Sequence, residues 1–109
     1  MTPLQPKLER YMDLLSARQK LVASNIANAD TPGYLTKDID FHFEFTSALE
    51  GAPNVVEPEG LIGKNDGNNV NLDREARLLA ENAMRFTFAS HLLKGDLKAL
   101  RTAIQEGGK

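Results

Sequence analysis

The last third of the chain carries the feature that most limits how it can fold. Taken from Leu72 in alternating steps of four and three, it reads Leu72, Ala76, Leu79, Ala83, Phe86, Ser90, Leu93, Leu97, Leu100, Ile104. Nine of these ten residues are apolar, counting Ala. A narrow stripe of period about 3.5, held over several heptads, marks a helix that packs lengthwise on another helix. Such spacing carries no chemistry, so a structural protein is the first expectation. The pattern assigns the intramolecular seam to Leu72, Leu79, Phe86, Leu93, Leu97, Leu100 and Ile104.

The partner lies at the other end of the chain. Thr2, Pro3 and Gln5 read as a helix start, with Pro6 shifting its clean beginning inward. Leu8, Tyr11, Met12, Leu15, Val22 and Ile26 then line one side, and Leu14 and Leu21 widen it. Lys7, Arg10, Arg18 and Lys20 fall largely elsewhere. The expected fold is mainly α: two long antiparallel N- and C-terminal helices, packed in a coiled-coil-like manner, with an extended loop-rich middle. A single domain follows, with an N-terminal helix over 1–30, a middle over 31–71 and a C-terminal helix over 72–106.

Composition narrows the function classes. The 109 residues suffice for one small domain. There is no Cys, hence no disulfide framework, thiolate metal site or Cys nucleophile. No apolar run is long enough to span a bilayer. Residues 1–10 lack a basic cluster followed by an apolar core, so no cleavable secretory signal is expected there. Basic residues are not concentrated on any one stretch, which argues against nucleic acid. Residues 34–70 hold seven acidic and two basic side chains, an acidic belt between two nearly balanced helices.

Between helix and belt stands Asn25-Ile26-Ala27-Asn28-Ala29-Asp30-Thr31-Pro32-Gly33-Tyr34. Asn28 tolerates the left-handed conformation that ends helices. Thr31, preceding Pro32, is pushed out of the helical region. Pro32 and Gly33 suit the central positions of a type II turn, where Gly supplies positive φ and Tyr34 is returned toward the helix.

The two Asn residues three apart, followed by Thr-Pro-Gly-Tyr, resemble the N-terminal signature of the bacterial flagellar axial proteins of the rod and hook class. The signature residues are Asn25, Ile26, Asn28, Thr31, Pro32, Gly33 and Tyr34. The run Thr36-Lys37-Asp38-Ile39-Asp40-Phe41, and Asp66–Leu72, Ala80–Phe86 and Leu100–Gly107, are similar to the proximal rod members in particular. Most of 15–41 and 66–107 takes part, and the middle looks short for the family. The resemblance implies a structural subunit of the proximal rod, assembled helically into the drive shaft of bacterial motility. It implies export through the flagellum-specific type III channel without a cleaved signal. The partners it implies are further copies, other rod proteins (FlgC, FlgF, FlgG) and the adaptor FliE at the export gate. The rivals are a FlgC-type rod subunit and a cytoplasmic helical adaptor or export chaperone.

The middle segment is open to two readings. Ile39, Phe41, Phe43 and Phe45 alternate with polar residues as in a strand. Phe41, Phe45, Ala48 and Leu49 also form a helical set behind Asp40 as N-cap, and Ser47–Glu50 and Gly51 lean toward the helix. In either case the three Phe residues are expected to anchor this segment to the helices. Residues 51–71 read as a loop, expected to be mobile in an isolated subunit and ordered against neighbours. Asn71 is the candidate N-cap of the last helix, with Asp73 and Glu75 in its first turn.

No constellation for chemistry emerges, and no catalytic, cofactor-binding or metal residue is assigned. Neither a small-molecule substrate nor a cofactor is expected. His91 and Ser90 are helix neighbours pointing about 100° apart. Asn65–Asn69 lacks the Gly and acidic positions of a calcium loop. Asp38 and Asp40 lie in open, polar sequence with no sign of burial. One feature is left over: Met84, Phe88 and Leu92 point nearly opposite the seam. Scattered surface apolar residues are common. The other reading is a subunit contact, in which each buried side chain contributes roughly 1.5–3 kcal/mol before ordering costs.

Overall fold

The computed structural model describes residues 4–47 and 50–107. It contains α1 (Leu4–Ala27), α2 (Phe41–Thr46) and α3 (Leu72–Gly107), and no strand among the described residues. The expected start signal at Thr2 and Pro3 lies outside them. So do Ala48 and Leu49 of the helical set proposed for the middle.

The two long helices run antiparallel. Asn25 near the end of α1 meets Glu75 in the first turn of α3, and Gln19 meets Asn82. Leu8, Leu14, Leu15 and Val22 of α1 are buried, as are Leu78 and Ala89 of α3. Ala29, Ile39 and Val70 close the core at the connected end. With 36 residues against 24, α3 outlasts its partner, and every residue from Leu97 to Gly107 is exposed. The molecule is accordingly long and thin, 70 × 25 × 17 Å.

Local chemistry sets the helix ends. The Asn71 side chain accepts the Arg74 N–H at 3.1 Å, and Glu75 N–H returns to the Asn71 carbonyl, capping α3 as its sequence predicts. The Asn28 N–H still reaches the Ser24 carbonyl, and the chain then leaves α1 through successive tight turns. In the middle segment the helix prevails over the strand. Asp40 caps α2 by accepting the Phe43 N–H, and Ser47 ends it. Tyr11 meets the rings of Phe41 and Phe45 edge-on, each at 5.4 Å. Phe43 points outward and is exposed, so two of the three Phe residues anchor the segment. Loop 51–71 is tied back through Asp38 and Val56, which exchange both backbone hydrogen bonds.

The contact face of α3 differs from the expected seam. Its buried residues are Glu75, Leu78, Asn82 and Ala89, with Leu93 half-buried. Leu72, Leu79, Phe86, Leu97, Leu100 and Ile104 are exposed, from 39% at Leu79 to 66% at Ile104. At about 100° per residue, the apolar stripe is rotated roughly 70° from the face that meets α1. The reason lies in the polar partners. Asn25 and Gln19 on α1 turn Glu75 and Asn82 inward, and an apolar periodicity does not register those positions. The stripe therefore runs along the open edge of the helix pair.

Truncations should separate the two faces. Leu14→Ala, at a fully buried site, should cost about 2–5 kcal/mol of subunit stability. Leu100→Ala, on the exposed stripe, should stay within about 0.5 kcal/mol of the parent. Urea denaturation of the isolated subunit followed by circular dichroism measures both.

Candidate functional site

Polar residues concentrate where α1 ends, and they fasten three separate segments together. Asn25 is the centre and is fully buried. Its amide nitrogen donates to the Lys37 carbonyl (2.8 Å) and to Glu75 Oε1 (2.7 Å). Its oxygen accepts from the Lys37 N–H (3.0 Å) and from the Tyr34 hydroxyl (3.1 Å). Every hydrogen-bonding position of the side chain is thus used. No other residue type supplies two donors and two acceptors in that volume: Asp would set a carboxylate against Glu75, and Leu would leave four groups unpaired.

The turn follows from this anchor. Tyr34 N–H closes on the Thr31 carbonyl at 3.2 Å, and Gly33 takes φ +73°. This is the positive-φ turn expected at Thr31–Tyr34, and Tyr34 does fold back onto α1. Asn28 bridges the turn. Its amide donates to the Ser24 carbonyl and its oxygen accepts the Thr31 hydroxyl. Pro32 precedes Gly33 in the turn, and Ile26, on the outer side of α1, is exposed. The structure thus brings Asn25, Asn28, Thr31, Gly33 and Tyr34 into one hydrogen-bonded unit.

The segment ahead of α3 docks on that unit. Asn68 is fully buried, and its amide donates to the carbonyls of Asn28 and Thr31, both at 2.9 Å. Gly33 N–H donates to the Asp66 carbonyl, and Asn69 N–H to the Tyr34 carbonyl. Asn69 Oδ1 accepts from both the backbone and the hydroxyl of Thr36. Lys64 Nζ reaches the Ala29 carbonyl at 3.0 Å. Gly67 lies against the turn, where a Cβ would be in ordinary contact with Gly33 Cα at 3.5 Å. The stretch Asp66–Asn69, within the segment read from sequence as a loop, thus clamps the signature.

An ionic cluster completes the site and corrects the expectation for Asp38. Asp38 is buried, not open. Arg18 grips it with two bonds of 2.9 Å, Arg74 adds a third at 2.6 Å and the Ile39 N–H a fourth. Arg74 also binds Glu75, which binds Asn25. Burial by itself pushes the Asp38 carboxyl up. The hydrogen bonds from Arg18 and Ile39, the Arg18 charge and the Arg74 bond outweigh it and hold the group below its usual range. Burial likewise pushes Arg74 down, and Glu75 and Asp38 more than restore it. Sequence reasoning missed this cluster, because Arg18, Asp38 and Arg74 are far apart in the chain and none belongs to an apolar pattern.

The second group of candidate residues stands apart from this polar knot around Asn25 and Asp38. Met84 and Phe88 are about two-thirds exposed and Leu92 is exposed beside them, on the side of α3 away from α1. Among the described residues, no group of three or more His, Cys, Asp or Glu is placed to hold a metal. Among the described residues, no helix is long and apolar enough to cross a membrane.

The class this defines is an elongated two-helix protein, closed at one end by an Asn-centred turn and presenting apolar side chains along its length. Residues 12–34, the later part of α1 and the turn after it, match the family model described as "Flagella basal body rod protein". Relatives named flagellar basal body rod protein FlgB include those of Yersinia enterocolitica (30% identical, 91% of each chain) and Borrelia hermsii (30% identical, 88% of this chain and 91% of the relative). The Escherichia coli K12 protein of that name is 28% identical over 91% of each chain. The chain belongs to the FlgB family of flagellar basal body rod proteins, which are structural rod subunits of the flagellum. The aligned stretch with these relatives, 123–125 positions, exceeds the 109 residues of this chain. The relatives therefore carry inserted residues that this chain lacks.

Two expectations follow from the geometry. Gly33 has open space where a Cβ would point, so the penalty of a side chain there is backbone strain alone. Gly33→Ala should cost about 1–2 kcal/mol and Gly33→Val more, read by denaturation and by rod assembly in cells. For Asp38 the folded-state pKa is depressed. Its stabilisation is therefore complete above its unfolded pKa and lost as pH falls through the folded value. Asp38→Asn should cost about 3 kcal/mol at pH 7. The gap between variant and parent should narrow below about pH 4, measured by urea midpoints across pH.

Proposed function

We propose that this chain is a subunit of the proximal rod of the flagellum. It assembles helically with further copies and with other rod proteins (FlgC, FlgF, FlgG) in the periplasm, adjoining the adaptor FliE at the export gate. It reaches that place through the flagellum-specific type III export channel, without a cleaved signal. Its work there is mechanical, transmitting torque through packed helices.

The observation that carries this reading is the exposed stripe on α3. Leu79, Phe86, Leu97, Leu100 and Ile104 repeat at coiled-coil spacing yet stand open in the single chain. A stripe of that regularity, left uncovered on a helix that outlasts its partner, is suited to a lattice that covers it. The knot serves the same end by holding α1 and α3 in one register, so that every copy presents the same surface. A subunit repeating through unlike faces builds an open helical assembly and not a closed ring.

Electron cryo-tomography of basal bodies from a strain lacking the gene tests the proposal, with motility scored beside it. The expected result is a membrane ring and export gate with no rod emerging. Complete rods and filaments would overturn it and turn attention to a cytoplasmic helical adaptor.

A further inference from the structure

Two apolar surfaces lie on opposite sides of α3. One is the stripe through Leu79 and Phe86, which borders an open groove of about 430 Å³ between the long helices. Leu15 and Gln19 of α1 and Ala83 and Phe86 of α3 line it, and the exposed Ser16 and Lys20 stand at its α1 side. The other is the ridge Met84–Phe88–Leu92, whose spacing of four is that of side-chain rows that interlock with a neighbouring helix. At about 100° per residue, stripe and ridge are separated by roughly half a turn of the helix.

We infer that the ridge of one copy seats in the groove of the next copy of this chain. This contact rests on the rod reading and specifies how neighbouring copies meet. Because the two surfaces are opposed across one helix, a sideways step, with the small turn per copy that a helical lattice requires, brings ridge onto groove. The same step can be repeated indefinitely, since each added copy leaves its own groove or ridge free.

Charge placement favours a second copy over an unrelated apolar helix. The pairs Asn25–Glu75 and Gln19–Asn82 fix the heights of the two long helices relative to each other. In that register Lys20 is level with Glu81, Ser16 with Met84 and Arg85, and Asp13 with Phe88. After the sideways step, the flank of the incoming α3 that carries Glu81 and Arg85 faces α1 of its neighbour. Glu81 then arrives opposite Lys20, which lines the groove, and the two are of opposite sign. Met84 enters at the middle of the groove, with Phe88 one turn beyond.

The chain has no Cys, so introduced thiols report on this contact without background. Two differently tagged chains, one Ser16→Cys and the other Arg85→Cys, are expressed together in flagellated cells, and isolated basal bodies are oxidised. Both positions are exposed, and equal circular dichroism of the purified variants confirms that the fold is kept. The expected result is a disulfide dimer carrying both tags, absent when either variant is expressed alone. A single chain carrying both substitutions should give a ladder of oligomers. Dimers from Arg85→Cys alone would mean a two-fold contact and overturn the inference. Intact rods that contain both chains without cross-linking would overturn it too, and leave the rod reading standing. Chains missing from isolated rods would overturn both.

Discussion

A single amide holds this molecule in its working shape. Asn25 offers two donors and two acceptors in a fully buried site, and together they bind three different segments: the turn at Tyr34, the chain after it at Lys37, and the start of α3 at Glu75. Removing such a group strands its partners, which is why buried polar networks are costly to disturb and effective at specifying one arrangement. Apolar side chains alone tolerate sliding of one helix on another. A residue bonded to Glu75 on one side and Lys37 on the other does not. The register of the two long helices, and with it the layout of the outer surface, depends on this point.

Around it, charge reinforces position. Asp38 and Glu75 are taken out of water, which costs free energy that Arg18 and Arg74 offset only because their geometry is good. The arrangement brings little net stability compared with an apolar core of equal size. It brings specificity, since wrong registers would leave buried carboxylates unpaired. A small chain with six aromatic residues in every hundred and no disulfide has few other ways to define a single structure.

The distal half of the molecule is built on the opposite plan. Beyond Ala89 the burial thins, and every α3 residue from Leu97 to Gly107 is exposed. An isolated helical stretch in water draws little stability from propensity alone. Such a chain is rigid where its polar knot lies and open where it meets others. A rod subunit needs that division, because a surface completed internally has nothing left to offer a lattice.

The two long helices, their antiparallel pairing, the cap at Asn71 and the positive-φ turn at Gly33 were legible in the sequence, and the cap at Asp40 belonged to one of two readings left open there. They rest on local rules: apolar periodicity, cap chemistry and the conformational freedom of glycine. The face of α3 that meets α1 was not legible. Glu75 and Asn82 sit in that contact and are silent in any apolar pattern, so the visible stripe of Leu79, Phe86, Leu97 and Leu100 was assigned to a partner it only borders. The burial of Asp38 was hidden for a related reason, since its partners stand 20 and 36 residues away. Sequence by itself determined the two long helices and the local signals that cap or end them. Tertiary structure alone decided how α3 is rotated on α1, because that choice is made by hydrogen bonds between polar groups distant in the chain.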